Sequence, residues 1–117
     1  MFEKNMTIGY LLDFYGELLG ERRRELLALY YNEDYSLAEI AAEVGISRQG
    51  VRENIKRGEE ELHFFEEKLG MAARFAEMRR LTAGIDSMIE ASTPDQLSPD
   101  LRDTLRRALR ELRERIN

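Results

Sequence analysis

The sequence predicts an all-α protein, a small helix-turn-helix bundle with a carboxy-terminal helical extension. Apolar residues recur every three or four positions along most of the chain. The two prolines, Pro94 and Pro99, both lie near the carboxy-terminal end, so most of the chain can be helical. The stretch 36–62, SLAEIAAEVGISRQGVRENIKRGEEEL, has the pattern of a short helix, a glycine turn and a capped second helix. We therefore expect a helix-turn-helix domain over residues 1–70 and a helical extension over residues 71–117.

Two helices are predicted before the motif. The first covers residues 6–19, and its apolar face would carry Ile8, Leu11, Leu12, Tyr15, Leu18 and Leu19. After Gly20, residues 21–31 form the second helix, with Leu26, Leu27 and Tyr30 on one face. Another face carries Arg22 and Arg23, which are candidates for secondary phosphate contacts. The alternative is a solvated face on which these arginines pair with nearby glutamates.

The motif itself has the expected start and stop signals. Ser36 followed by Glu39 predicts a capping box at the start of its first helix. Leu37, Ile40, Ala41 and Val44 supply the apolar side of that helix. Gly45 provides a residue that can adopt a left-handed conformation, and Ser47 is a suitable N-cap for the second helix.

The second helix of the motif combines an apolar side with a basic and amide side. Val51, Ile55 and Leu62 would be buried. The other side carries Arg48, Gln49, Arg52 and Lys56, as in a helix that enters a DNA major groove. A plain helical hairpin packed in a small bundle would bury the same apolar positions, so these positions alone do not distinguish it from a helix-turn-helix. Gly58 costs about 1 kcal/mol of helix stability relative to alanine. The sequence gives no firm reason for a glycine there, although a glycine could bend a long helix.

Charge restricts how the chain could bind nucleic acid. The net charge is −5, whereas proteins that bind phosphates non-specifically are usually basic. Residues 47–58 hold four basic side chains against one acidic side chain, between acidic blocks on either side. Any nucleic-acid contact must therefore come from a local basic patch, and this island is one candidate.

The carboxy-terminal part predicts helices that pair through apolar stripes. Phe64, Phe65 and Leu69 are expected to pack under the bundle before Gly70 ends the motif's second helix. The helix over residues 71–91 has a narrow seam, suited to pairing within the chain or between chains, made of Met71, Phe75, Met78, Leu81, Ile85, Met88 and Ile89. A last helix starts at Thr93 or Ser98, with a stripe formed by Leu97, Leu101, Leu105, Ala108, Leu112 and Ile116. Its six arginines form a second basic surface, for RNA or an acidic partner, or else i,i+4 pairs with acidic neighbours: Arg102, Arg106, Arg107, Arg110, Arg113 and Arg115.

Several classes of function are not expected. The absence of cysteine rules out disulfides and fits a cytoplasmic protein. The stretch MFEKNM does not resemble a signal peptide, and no apolar run is long enough for a membrane span. With one histidine and no glycine-rich phosphate loop, we expect no enzyme, no cofactor and no small-molecule substrate. His63 with Glu59 and Glu67 is better explained as a solvated helix face than as a metal site.

The chain resembles the YlxM family of small bacterial helix-turn-helix proteins over about residues 6–70. The resemblance is carried by LLDFYGELL, by LYYNEDYSLAEIA, by ISRQ at 46–49 and by NIKR at 54–57. The second half of this stretch also looks like the carboxy-terminal DNA-reading region of bacterial sigma factors. By position, Arg48, Gln49, Asn54, Lys56 and Arg57 match the family's recognition helix. Gly50 and Arg52 stand where the family usually has alanine and tyrosine.

The resemblance implies a cytoplasmic regulatory protein linked to the signal recognition particle (SRP), because the family's genes lie beside those of the particle's GTPase. Its partners would be the SRP GTPase, the SRP RNA or both. Independently of the resemblance, the narrow seam of the extension predicts a homodimer. The alternative is a sequence-specific regulator that binds double-stranded DNA, and the two roles are compatible.

Overall fold

The computed structural model describes residues 6–116, which form an all-α fold without strands in that range. The helices are α1 (Met6–Tyr15), α2 (Glu21–Tyr31), α3 (Leu37–Val44), α4 (Arg48–Leu69), α5 (Met71–Ala91) and α6 (Pro99–Ile116). This confirms the predicted fold class. The expectation about a signal peptide concerns mainly residues 1–5, which lie outside the described range. Among residues 6–116, no helix is long and apolar enough to cross a membrane.

The chain divides into two compact units, a first unit that ends at Ala72 and a second unit that begins at Ala73. The first unit contains two clusters of buried side chains. One cluster joins α1, α2 and α4, and its fully buried members include Ile8, Tyr15 and Leu27. The other joins α2, α3 and α4 around Ile40 and Ile55. Because α2 and α4 contribute to both clusters, their crossing is the centre of the first unit.

The first predicted helix is shorter than expected. α1 ends at Tyr15, and a 3-10 turn, Gly16–Leu18, follows it. The tighter turn changes the direction of the side chains that follow, so Leu18 is 57% exposed while Leu19 is buried.

The end of α4 also differs from the prediction. The sequence predicts that Phe64 and Leu69 pack under the bundle, but both are exposed. Phe65, by contrast, packs against the buried cluster around Tyr15 as expected.

Gly58 is required by the close approach of α2 and α4. Gly58 is buried, and a Cβ atom at this position would lie 2.2 Å from Leu27 Cδ1 and 3.1 Å from Arg23 Cγ. Its neighbour Leu27 is itself 0% exposed, so it has little room to move aside. Glycine is therefore needed at position 58 so that α2 and α4 can contact each other. Close packing of the two helices, and not a bend in α4, explains this glycine.

Tyr15 and Glu66 form a hydrogen-bonded group at the carboxy-terminal end of the first unit. Tyr15 Oη at the end of α1 donates to Glu66 Oε1 on α4, with 2.6 Å between the oxygens. The same Tyr15 oxygen accepts the Met71 N–H at 3.0 Å, and Glu66 Oε1 accepts the Ala72 N–H at 3.0 Å. These two N–H groups belong to the first turn of α5 and have no partner within the helix. Tyr15 and Glu66 therefore cap α5.

The second unit is an antiparallel hairpin of α5 and α6 held mainly by polar contacts. Arg79 Nη1 donates to the Ile116 carbonyl oxygen at 2.9 Å, and Arg113 lies 3.2 Å from Asp86. Near the other end of the hairpin, Arg106 pairs with Glu90. Few apolar side chains are buried between these contacts, namely Ile89, Leu109 and Ile116.

The predicted apolar stripes do not form this hairpin. Ile89 and Ile116 are buried, but most members of both stripes are exposed, and Leu109 lies outside the predicted stripe. Helix α6 begins at Pro99, with its Leu101 N–H bonded to Ser98 Oγ at 3.2 Å. The side chains of Thr93 and Gln96 do bond each other's backbone, but they enclose a turn and not the start of a helix.

Candidate nucleic-acid interface

The motif folds as its start and stop signals predict. Ser36 Oγ accepts the Glu39 N–H at 3.1 Å, and the Glu39 carboxylate accepts the Ser36 N–H at 3.0 Å, so the capping box of α3 is complete. Gly45 ends α3 in the left-handed region at φ 74°. Ser47 Oγ then accepts the Gly50 N–H at 2.9 Å and caps α4. Three residues, 45–47, thus connect the two helices, as in a helix-turn-helix.

The angle between α3 and α4 is fixed by a fully buried core. Ile40, Val51 and Ile55 are each 0% exposed, which confirms their predicted places on the apolar sides of the two helices. Tyr30 of α2 lies in the same cluster. Burial, with Glu59 and Asp34 nearby, raises the pKa of its hydroxyl above the usual value.

Beside this core, the first three turns of α4 present a strip that we call the basic strip, formed by Arg48, Gln49, Arg52 and Lys56. All four residues are exposed. Arg48, Arg52 and Lys56 are spaced by four positions, so they follow one another on the same helix face. The first turn of α4 contains no acidic residue, so the positive end of the helix dipole adds to the charge of this strip.

Two further candidates from α4 have partners within the chain. Asn54 is half-buried, and its Nδ2 donates to the Gly50 carbonyl oxygen at 2.9 Å. Arg57 is exposed, with its Nε 4.0 Å from Glu53 Oε2. An exposed pair at this distance is weak and can open for a phosphate. Arg57 therefore fits a backbone contact better than Asn54 fits a base contact.

The two arginines of α2 differ in their surroundings. Arg22 is exposed. Arg23 is half-buried and pairs with Glu61 across the crossing of α2 and α4. That pairing joins positions 38 apart in the chain and has no local signal in the sequence, so sequence reasoning missed it. Of the two, Arg22 is the better placed for a phosphate.

Beyond the basic strip, the surface of α4 becomes acidic. Glu59 lies one turn after Lys56, and its Oε2 accepts a hydrogen bond from Tyr31 Oη at 2.6 Å. His63 and Glu67 follow and are exposed. Within residues 6–116, no three histidine, aspartate or glutamate side chains come together as a metal site. Apart from Lys68 in its last turn, the basic side chains of α4 therefore lie in its amino-terminal half, the part that reaches base edges in a helix-turn-helix complex.

The second basic surface is smaller than predicted. Arg106 and Arg113 pair with acidic residues of α5, and Arg102 Nη2 donates to the Ile89 carbonyl oxygen at 2.9 Å. Arg115 pairs with Glu111 on its own helix. Four of the six arginines thus have partners within the second unit, which leaves less positive surface for RNA than the sequence suggests.

Comparison with known proteins places these features in one family. A family model for UPF0122, described as "Putative helix-turn-helix protein, YlxM / p13 like", matches residues 2–100. UPF0122 protein lwe1821 of Listeria welshimeri is 40% identical over 105 residues, covering 90% of this chain and 94% of that protein. UPF0122 protein Teth514_1714 of a Thermoanaerobacter species is 41% identical over 109 residues, covering 93% and 92%. UPF0122 protein BCAH187_A3894 of Bacillus cereus is 46% identical over 89 residues, covering 76% and 81%.

Proposed function

The chain belongs to the UPF0122 family of YlxM- and p13-like helix-turn-helix proteins, and we propose that it is a non-enzymatic, cytoplasmic regulatory protein that binds double-stranded DNA through the basic strip. The observation that carries this proposal is the exposure of Arg48, Gln49, Arg52 and Lys56 on one face at the amino-terminal end of α4. A buried core holds that helix end against α3, so the backbone that carries the strip is preorganised. A preorganised backbone loses less conformational entropy on binding.

The side chains of the strip suit the contacts that DNA offers. Arginine forms paired hydrogen bonds with the O6 and N7 atoms of guanine, and glutamine does the same with the N6 and N7 atoms of adenine. We therefore assign base contacts to Arg48, Gln49 and Arg52. Lys56 and Arg57, further along α4, are assigned to phosphates, with Arg22 as a secondary phosphate contact.

Selection of duplexes from a random pool tests this proposal. We expect enrichment of a specific sequence, and binding that weakens steeply as salt is added. Replacing Arg48 with alanine should weaken binding to the selected duplex by about 10-fold or more and relax the preference at one base pair. If no sequence is enriched, specific DNA binding is ruled out.

A matched pair of lysine variants separates local contact from overall charge. Lys56→Ala should weaken binding to all duplexes and lower the salt slope by about one unit. Lys68→Ala removes the same charge from the far end of α4, where Lys68 lies 5.6 Å from the centre of the Phe64 ring. Equal losses for the two variants would contradict contact through the basic strip.

A role in the SRP pathway is the second candidate, and the charge distribution favours it. The first unit has nine basic and fifteen acidic residues, a net charge of −6, so long-range attraction to DNA is weak. A small positive strip inside an acidic surface also suits docking to a protein, and the strip itself could contact RNA phosphates locally. With the resemblance to the YlxM family, this supports binding to the SRP GTPase or the SRP RNA.

Pull-down with the purified GTPase, with and without its RNA, tests that second role. We expect the full chain to co-purify at micromolar concentrations and Lys56→Ala to reduce the yield, whereas Lys68→Ala should not. Failure of the wild-type chain to co-purify with either component would count against the role. A requirement for RNA would identify the RNA as the docking partner.

A further inference from the structure

The hairpin of the second unit exposes an apolar surface that its own contacts leave uncovered. Seven large apolar side chains are between 36% and 72% exposed: Met78, Leu81, Ile85, Met88, Leu101, Leu105 and Leu112. We call this set, with Ala108, the apolar face. Monomeric proteins rarely leave so many neighbouring apolar side chains in water.

The contacts of the hairpin show that these residues share one side. Residues 79, 82, 86 and 89 of α5 face residues 102, 106, 109, 113 and 116 of α6, as their burial and ion pairs show. Each residue of the apolar face comes directly before one of these facing residues in the sequence. The eight positions of the apolar face are 78, 81, 85, 88, 101, 105, 108 and 112. One position is a rotation of about 100° about the helix axis. In an antiparallel pair of helices, residues displaced by this rotation from the facing residues of each helix lie on the same side of the hairpin. The exposed apolar residues of α5 and those of α6 are therefore neighbours on one surface.

We propose that the apolar face is a dimer interface, on which a second copy of the hairpin packs to complete a four-helix bundle. The hairpin needs such a partner because its internal contacts are mostly ion pairs and bury few apolar side chains. Four-helix bundles enclose their apolar stripes in just this way. This inference does not depend on the proposed function.

The size of the face fits a dimer. Helices of 21 and 18 residues are about 30 Å long, and two of them packed about 10 Å apart offer a face of about 600 Å². Two copies would bury about 1,200 Å² in total, the lower end of the range for stable specific complexes. A two-fold axis brings the same face from both copies together.

Charge also favours a second copy over another occupant. Residues 73–117 contain nine arginines and eight acidic residues, a net charge of +1, so two hairpins repel each other little. The eight positions of the face carry no charge, which does not suit a nucleic acid. In the first unit, by contrast, the net charge of −6 would oppose self-association.

Sedimentation equilibrium of the full chain tests the proposal. The particle mass should rise from 13.7 kDa toward twice that value as the protein concentration increases through the micromolar range. Leu81→Glu places a charge in the interface and should raise the dimer Kd by about 100-fold or more, leaving monomers. Ala83→Glu adds the same charge two positions away, on the opposite side of α5, and should leave the dimer intact. Far-UV circular dichroism checks that both variants remain helical.

The wild-type chain gives a second readout that needs no substitution. Met88 is 72% exposed in the single chain, and Met78 is 41% exposed. In the dimer, both should be protected from oxidation by peroxide, while Met71 in the first unit serves as the reference.

Three results would overturn the proposal. One is a mass of 13.7 kDa at every concentration. Another is a dimer that persists in Leu81→Glu and leaves Met88 unprotected, since its contact would lie elsewhere. The third is equal dissociation by Leu81→Glu and Ala83→Glu.

Discussion

Replacing Gly58 with valine should lower the free energy of unfolding by about 3 kcal/mol or more. The new Cβ would overlap Leu27 Cδ1, which is 2.2 Å from its ideal position, and would crowd Arg23 Cγ at 3.1 Å. Leu27 cannot turn toward solvent because it is fully buried. Helices α2 and α4 would have to separate, and both buried clusters of the first unit would loosen. Urea unfolding followed by far-UV circular dichroism measures the loss.

A glycine in the same unit provides the control for this prediction. Gly9 lies within α1, and a Cβ at its position would have no neighbour within 4 Å. Valine has a better helix propensity than glycine, so Gly9→Val should change the stability by less than about 1 kcal/mol. Equal stabilities of Gly58→Val and Gly9→Val would show that α2 and α4 do not approach closely at Gly58.

Replacing Tyr15 with phenylalanine should lower the free energy of unfolding by about 1–3 kcal/mol. The hydroxyl both donates to Glu66 and accepts from the Met71 N–H, so its loss leaves two groups without that partner. Tyr31→Phe is the matched control because it removes the half-buried hydroxyl that donates to Glu59. Its cost should be smaller, about 0.5–1.5 kcal/mol. A larger cost for Tyr31→Phe would contradict the role of Tyr15 in capping α5.

The same hydroxyl predicts a pH dependence. Burial, and then the hydrogen bond with Glu66, raise the pKa of Tyr15 above its usual value. The unfolded chain therefore loses this proton first, at about pH 10. The stabilisation is complete below that pH and is lost as the pH rises through the folded-state pKa. Tyr15→Phe should show a smaller decline in stability between about pH 9 and pH 11, and an unchanged decline would exclude Tyr15 as its source.

The helix-turn-helix could be predicted because its signals are local. Ser36 with Glu39, Gly45, and Ser47 each act within one helical turn, and each has the predicted conformation or hydrogen bond. The basic strip could be predicted for the same reason, since residues four positions apart on a helix share a face. Its predicted role in binding stays a prediction.

Contacts between distant helices could not be predicted from the sequence. Nothing near Gly58 indicates that Leu27 packs against it, and nothing near Arg23 indicates Glu61. In the second unit, the apolar periodicity was no guide to the hairpin contacts, because arginine and aspartate side chains fill them. Apolar stripes identify a surface that needs a partner, but they do not say whether that partner belongs to the same chain.

The division of the chain after Ala72 makes the two units spectroscopically distinct. All five tyrosines precede it, at positions 10, 15, 30, 31 and 35, and the chain contains no tryptophan. Tyrosine fluorescence therefore reports on the first unit alone, whereas the far-ultraviolet helix signal sums both units. If the hairpin unfolds independently of the first unit, the two denaturation curves will not coincide. The tyrosine curve will then give the stability of the first unit without any engineered label.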